Sequence, residues 1–251
     1  MSAPPRPLLA SWLGRVEYLA AWRLQEAVAA RVRAGAPDRL LLLEHDPVYT
    51  IGRRGSLDHL TAPAAELRAL GAAAYRVDRG GDITYHGPGQ VVGYPVVALG
   101  DAPDLVGYVR AVEGGLVDAL ATLGVAARPI EGKTGVWVEA RGRLAKIAAI
   151  GVRVSRRTTT HGFALNVRTA LDAFARMIPC GFAHDVASLR LLGIEADVAD
   201  IARRCADALA ARLGRELRWN GAPEPPREDE LAADAPVRAA VDLLREPIAA
   251  G

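Results

Sequence analysis

The apolar positions of this chain keep two different periods. Across residues 17–34, Leu19, Trp22, Leu24, Val28 and Val32 recur at near-helical spacing. The run Arg39-Leu40-Leu41-Leu42-Leu43-Glu44 then reads as a buried strand entering the turn His45-Asp46-Pro47. The same pattern predicts strands over residues 74–77 and 91–97, and a helix over 104–123 with Pro103 just before it and Gly124 as its stop. Short strands follow over 125–130, 135–139 and 144–154, the last two joined by a hairpin turn at Arg141-Gly142-Arg143, with a further strand at Ala164-Leu165-Asn166-Val167. An amphipathic helix over 197–213 closes the series, and no internal repeat is present. Helical and strand periods that alternate in this way predict an α/β domain.

Composition narrows the picture. A chain of 251 residues that is 51% hydrophobic can bury one sizeable core, and residues 1–220 are expected to form a single catalytic domain. The stretch Gly221-Ala222-Pro223-Glu224-Pro225-Pro226-Arg227-Glu228-Asp229-Glu230 reads as a proline-rich acidic linker, so 221–251 are expected to be linker and tail. A formal charge of +2 is too small for a protein that binds nucleic acid by neutralising phosphates. No stretch approaches the ~18 apolar residues of a membrane span, and the start Met1-Ser2-Ala3-Pro4-Pro5 lacks the pattern of a signal peptide. The expectation is a cytoplasmic protein. Two cysteines without a CxxC pair argue against both a disulfide framework and a zinc finger.

Charge usage brings in the first chemistry. Of the 31 basic residues only two, Lys133 and Lys146, are lysines, and they lie in one short stretch. Lys146 sits inside the apolar run Leu144-Ala145-Lys146-Ile147-Ala148-Ala149-Ile150-Gly151. A lysine kept there suggests a use for a group able to lose its proton near neutral pH, which arginine cannot do. The competing explanation is an exposed strand lysine whose stem covers a half-buried sheet. Cys205 falls in the 197–213 helix with Val198, Ile201, Leu209 and Leu213, and is expected to be an inert core residue. Cys180 instead lies between Pro179 and Gly181 in a constrained loop, which can present a thiolate if an electropositive partner is near and is otherwise a bystander. A thiol of ordinary pKa is ~3% ionised at pH 7, and a two-unit depression by a neighbouring ammonium brings it to ~75%. Lys146 can supply that charge and, once neutral, accept a proton from an attacking amine.

The third element is Asp78-Arg79-Gly80-Gly81-Asp82-Ile83-Thr84-Tyr85-His86-Gly87-Pro88-Gly89-Gln90. Its glycines let backbone N–H groups approach a ligand, and Thr84, His86 and Gln90 add side-chain partners, so it reads as a binding loop or, more plainly, as a pair of turns. It is neither a phosphate-binding P-loop nor a dinucleotide fingerprint. His45, His59, His86, His161 and His184 show no metal-ligand spacing, and no metal is expected.

Residues Arg79 to Gln90, Lys146-Ile147-Ala148-Ala149-Ile150-Gly151, His161-Gly162-Phe163-Ala164-Leu165-Asn166-Val167 and Ile178-Pro179-Cys180-Gly181 together resemble the ordered motif set of the lipoyl(octanoyl) transferases. Residues 44–53 and Thr134-Gly135-Val136-Trp137-Val138 add to a likeness that spans about residues 22–213. The resemblance implies the fold of the biotin/lipoate protein ligase catalytic domain, a mixed β-sheet with flanking helices. It also implies transfer of an octanoyl group from acyl carrier protein to a lysine of the lipoyl domains of 2-oxoacid dehydrogenases or of the glycine-cleavage H protein, the first step of endogenous protein lipoylation. Cys180 becomes the acyl-thioester nucleophile and Lys146 the acid/base beside it. Arg79, Gly80, Gly81, Asp82, Ile83, Thr84, Tyr85, His86, Ala149, Ile150, Gly151, Gly162, Phe163 and Ala164 become substrate contacts.

Thioester exchange is near-isoenergetic and amide formation is downhill, so neither ATP nor a cofactor is expected beyond the phosphopantetheine of the carrier. The enzyme is expected to be a monomer with no nucleic-acid or membrane partner. An apolar tunnel for the acyl chain is expected to draw on Ile83, Tyr85, Ile147 and Ile150. Arg53, Arg54, Arg153, Arg156 and Arg157 are either docking residues for the acidic carrier or ordinary surface charge. The chain departs from the pattern at Ala187, where threonine is expected before Ser188. Two rivals stand beside this reading: an ATP-dependent lipoate ligase, which has no use for a nucleophile at Cys180, and a non-catalytic acyl- or cofactor-binding module.

Overall fold

Ahead of the first expected helix the chain already forms a strand, β1 (Pro7–Val16), in which Leu8 and Ala10 are buried. The computed structural model describes residues 5–178 and 185–225, so Cys180 and His184, like residues 226–251 of the expected tail, lie outside the described residues. Helix α1 (Tyr18–Arg33) starts where the Glu17 carboxylate accepts the free N–H groups of Leu19 and Ala20. Strands β2 (Asp38–His45) and β3 (Val48–Ile51) flank the Asp46-Pro47 turn, and the short helix α2 (Ala64–Ala69) leads to β4 (Ala73–Arg76). Next come β5 (Ile83–His86), β6 (Gln90–Val96) and α3 (Leu105–Ala121), whose first turn is capped by Asp104 accepting from Gly107 N at 2.8 Å. Strands β7 (Ala127–Ile130), β8 (Lys133–Ala140), β9 (Arg143–Ser155) and β10 (Thr158–Asn166) follow, then β11 (Asp185–Val186), α4 (Val198–Arg212) and β12 (Glu216–Trp219).

Among the described residues nine strands form one mixed sheet in the order β12-β1-β2-β6-β10-β9-β8-β7, with β11 paired to β9 off this path. β1 runs parallel to β12 and β2, and β11 runs parallel to β9, while the remaining pairs are antiparallel. Strand alternation sends Leu40 and Leu42 of β2 to the core under α3 and α4, and Leu41 and Leu43 to the opposite face against Ala21 of α1. A strand buried on both faces needs the unbroken apolar run that its sequence shows. A second sheet, β4-β3-β5, packs against α1 through Tyr18, Trp22, Val48 and Tyr75. No helix among the described residues is long and apolar enough to cross a membrane.

Three expectations need correction. The segment 78–90 is not all loop: Ile83 to His86 form β5, paired antiparallel with β3 from Ile51↔Ile83 to Val48↔His86. Four residues between glycine clusters are too few to show a strand period, although Ile, Thr and Tyr favour one. The expected strand at 164–167 is the end of β10, which begins at Thr158; its polar start is buried, with Thr159 Oγ1 donating to Pro95 O at 2.7 Å. The start of the expected linker is held in place, since Ser11 Oγ donates to Gly221 O and Arg31 to the carbonyls of Glu224 and Pro225.

Candidate active site

Lys146 stands where three strands meet. β10 accompanies β9 only as far as Ala148, β11 takes over that edge at Ala145 and Lys146, and on the other edge Trp137 of β8 pairs with Lys146. Val136 pairs with Ala148 while Trp137 pairs with Lys146, so Ile147 is an extra residue in a β-bulge. The bulge requires Gly135, whose φ is +122° and where a Cβ would come within 2.6 Å of Ala148 O and 3.3 Å of Lys146 Cε. Gly135 N donates at 2.9 Å to Oε1 of the buried Glu113, whose other oxygen accepts from Arg110. The Lys146 ammonium lies 4.8 Å from the centroid of the Trp137 ring, and Lys133 lies 5.7 Å from the same centroid. Burial, and then the Lys133 charge, pull the Lys146 pKa from 10.5 to about 8. Roughly a tenth of Lys146 is therefore neutral at pH 7.

A cavity of about 530 Å³ opens beside Lys146, walled by residues 79–84 and His86, by Ala149, Ile150 and Gly151 of β9, and by Gly162, Phe163 and Ala164 of β10. Of the expected substrate contacts only Tyr85 turns away. Its ring packs instead on Tyr49 and Phe174, with ring centroids at 5.2 and 5.6 Å, in the small apolar cluster that it shares with Ile83. Ile83 and Ile150 line the cavity, but Ile147 belongs to the core under α3 and α4, so Tyr85 and Ile147 are struck from the expected tunnel. Arg79 is buried, donating to Thr50 O at 2.6 Å, to Thr50 Oγ1 at 2.9 Å and to Gly80 O at 3.0 Å. Burial lowers its pKa, and a Cβ at Gly52 or Gly151 would press on its side chain at 2.8 and 3.0 Å.

The inner wall is polar. His86 Nδ1 donates to Gln90 Oε1 and Gln90 Nε2 to Asn166 Oδ1, each at 2.9 Å. His45 Nδ1 donates to Val16 O at 2.7 Å, which leaves Nε2 to accept from Tyr94 OH at 2.7 Å. Burial pushes the pKa of His86 down to about 3 and that of His45 to about 4, so both rings are neutral at pH 7. His161 has φ +56° within β10, held there by Gln25 Oε1 on its N–H and by Asp78 on Nε2, both at 2.8 Å. Asp78 also pairs with Arg153 at 3.0 Å, and Arg153 reaches buried Glu26 at 3.4 Å. Arg153 is thus committed inside the fold and is withdrawn from the docking residues. Arg157 pairs with Asp101 at the surface, Arg53 and Arg156 are exposed, and Arg54 lines the cavity.

Sequence reasoning missed Tyr18, Tyr94 and Asn166 on the cavity wall and gave Trp137 no role. Trp137 lay in a stretch singled out for its motif, but Tyr18 and Tyr94 look like any core aromatic until the fold places them. His59, read only as a non-ligand, pairs with Asp82 of the cavity wall at 2.8 Å.

The family described as the lipoyl protein ligase A/B catalytic domain matches residues 17–210. This chain belongs to that family. Octanoyltransferases of Mycolicibacterium gilvum and Solibacter usitatus are 44% and 47% identical to it, over 87% and 76% of this chain and 91% and 86% of their own. The protein is therefore an acyltransferase of lipoyl-protein metabolism, as expected. Two solved structures share the fold at low identity. One, described as a bipartite lipoate protein ligase of Thermoplasma acidophilum with its E2 lipoyl domain, matches at TM-score 0.69 and 19% identity over 95% of this chain and 92% of its own. A lipoate-protein ligase A bound with ATP matches at TM-score 0.69 and 18% identity over 98% and 97%. Within this family framework Cys205 is inert, as expected: it is buried in α4, and burial pushes its thiol up to about 12.

Proposed function

We propose that this acyltransferase moves an octanoyl group from the phosphopantetheine thiol of acyl carrier protein to Cys180, and from Cys180 to the lysine of a lipoyl domain, without ATP. The observation that carries this reading is a lysine dewatered to a pKa of about 8 on the wall of a cavity to which Met177 and Val186, on the two sides of Cys180 in sequence, also contribute. Charged Lys146 favours the Cys180 thiolate. The thiolate attacks the carrier thioester, a carbon–sulfur bond to Cys180 forms, the bond to the carrier sulfur breaks, and Lys146 gives the departing sulfur its proton. Neutral Lys146 then takes the proton of the acceptor amine as the carbon–nitrogen bond forms and the thioester breaks. Thiolate and ammonium are regenerated together, which closes the cycle with no other acid or base.

Ile83, Ala149, Ile150 and Phe163 offer the acyl chain an apolar wall, and Arg79 with the adjacent glycine backbone offers donors to its carbonyl. Arg53, Arg54 and Arg156 are left to steer an acidic carrier. The lipoyl domains of 2-oxoacid dehydrogenases and the glycine-cleavage H protein are the acceptors, residues 1–220 the catalytic unit and the cytoplasm its place of work.

Mixing the protein with octanoyl-loaded carrier in nucleotide-free buffer with EDTA should add one octanoyl mass that hydroxylamine removes. Cys180→Ala should abolish the adduct and Cys205→Ala should leave it. An adduct that survives Cys180→Ala would overturn the nucleophile, and a strict need for ATP and magnesium would point to an acyl-adenylate route.

A further inference from the structure

The two lysines of this arginine-rich chain meet at one aromatic ring. Lys133 begins β8, Trp137 follows it four positions on, and Lys146 pairs with Trp137 across the bulge. Both ammonium groups lie inside the ~6 Å within which a ring face attracts a cation, at 5.7 and 4.8 Å from the same centroid. The indole is fixed in turn, since its Nε1 donates to Lys133 O at 3.2 Å, tying ring and Lys133 backbone into one local unit. Lys133 and Lys146 also line the same cavity.

We propose that Lys133 is a positioning residue for acyl transfer, setting the place and the charge of Lys146 through the indole they share. The inference rests on the acid/base reading of Lys146 given above. Other charged groups around Lys146 are already engaged. Asp185, beside it on β11, pairs with Arg143 at 2.9 Å. Glu113 on α3 holds Gly135 and Arg110. Asp82 across the cavity pairs with His59, and Arg79 is bound by Thr50. Arg54 lies on the cavity wall, and His86 and His161 there are both pushed toward the neutral form by burial. Among the described residues Lys133 is the ionisable neighbour whose charge acts on Lys146, and it acts to disfavour a second ammonium. Trp137 attracts both cations, so the ring keeps Lys146 in place while its neighbour loosens its proton. Arginine at 133 would keep the charge.

The test is the pH profile of single-turnover transfer from isolated octanoyl-enzyme to a lipoyl domain, for wild type, Lys133→Met, Lys133→Glu and Lys133→Arg. The wild-type rate should climb with pH through a midpoint near that of Lys146. Lys133→Met should move the midpoint up by roughly half a unit to one unit, slowing transfer at pH 7 by about 3- to 10-fold while sparing it above pH 9.5. Lys133→Glu should move it further, and Lys133→Arg should return it to the wild-type position. Superimposed midpoints in wild type, Lys133→Met and Lys133→Glu would overturn the proposal, whatever happens to the absolute rate. Lys146→Met separates the two ideas: transfer that survives it at the wild-type rate removes the acid/base reading itself, whereas its loss together with unmoved Lys133 midpoints removes only the role of Lys133.

Discussion

Lys146 is held in surroundings that favour its neutral form, and the fold bears the consequence. A lysine whose pKa falls from 10.5 to about 8 on folding gives the native state fewer bound protons than the unfolded state across that interval. Stability therefore rises with pH between about 8 and 10.5 on account of this group, and the destabilisation is fully present below 8. Lys146→Met removes it. Because the side chain is only partly buried, the gain at pH 7 should be ~1–2 kcal/mol rather than the full value of the shift. Urea unfolding of both proteins at pH 7 and pH 10 checks this: the gap should narrow at the higher pH, and a variant less stable at pH 7 would contradict it. An inactive yet more stable protein is the mark of a residue kept for chemistry.

The decisive element is the β8–β9 hairpin. Its turn, Arg141-Gly142, has positive φ at both positions, as a tight two-residue connection requires, so the hairpin was visible in sequence. Its bulge was not. Gly132 and Gly135 both have positive φ, at +73° and +122°, but a Cβ at Gly132 meets nothing within 4 Å, whereas one at Gly135 meets Ala148 O and the Lys146 stem. Gly132→Ala should thus show only the backbone penalty, about 1 kcal/mol. Gly135→Ala should lose more than ~2 kcal/mol and reduce kcat at least tenfold, because the strand pairing that aims Lys146 has to shift. Unfolding free energies and turnover of the two variants measured side by side decide this, and equal effects would mean that the bulge does not hold the lysine.

At the scale of the whole molecule, the space between the two sheets is lined by neutral histidines. His45 and His86 keep pKa values of about 4 and 3, and burial also lowers that of His161. The unfolded chain takes up the protons of His45 and His86 near pH 6.5 and the native state does not, so stability is lost as pH falls from about 6.5 towards 4, at ~1.4 kcal/mol per pH unit for each of these two rings, and His161 adds to the loss in the same direction. Burial raises the pKa of Asp78, but His161 and Arg153 hold it below the ordinary 3.8, so this group adds a loss in the same direction only once the pH falls below that value. Thermal melts from pH 7.5 to 4.5 should show a steep fall in Tm below pH 6, and a flat profile would mean that the rings charge in place. The cavity was only half legible for the same reason. The amphipathic helices α1, α3 and α4, the doubly buried strand β2 and the hairpin were written locally, in the period of apolar positions and in the residues that cap and turn the chain, because each is decided by neighbours a few positions away. Lys146, through its apolar run, and the segments 79–84, 149–151 and 162–164, through family resemblance, were also singled out in sequence, and the fold brings them to the wall of one cavity. Strand β5, the bulge at Ile147, the inward turn of Arg153, the outward turn of Tyr85 and the meeting of Lys133 with Lys146 over Trp137 did not show in sequence. Each depends on which distant strand supplies the neighbour, and a lysine that looks ordinary in water becomes a weak acid only where the sheet removes the water and sets a second charge beside it.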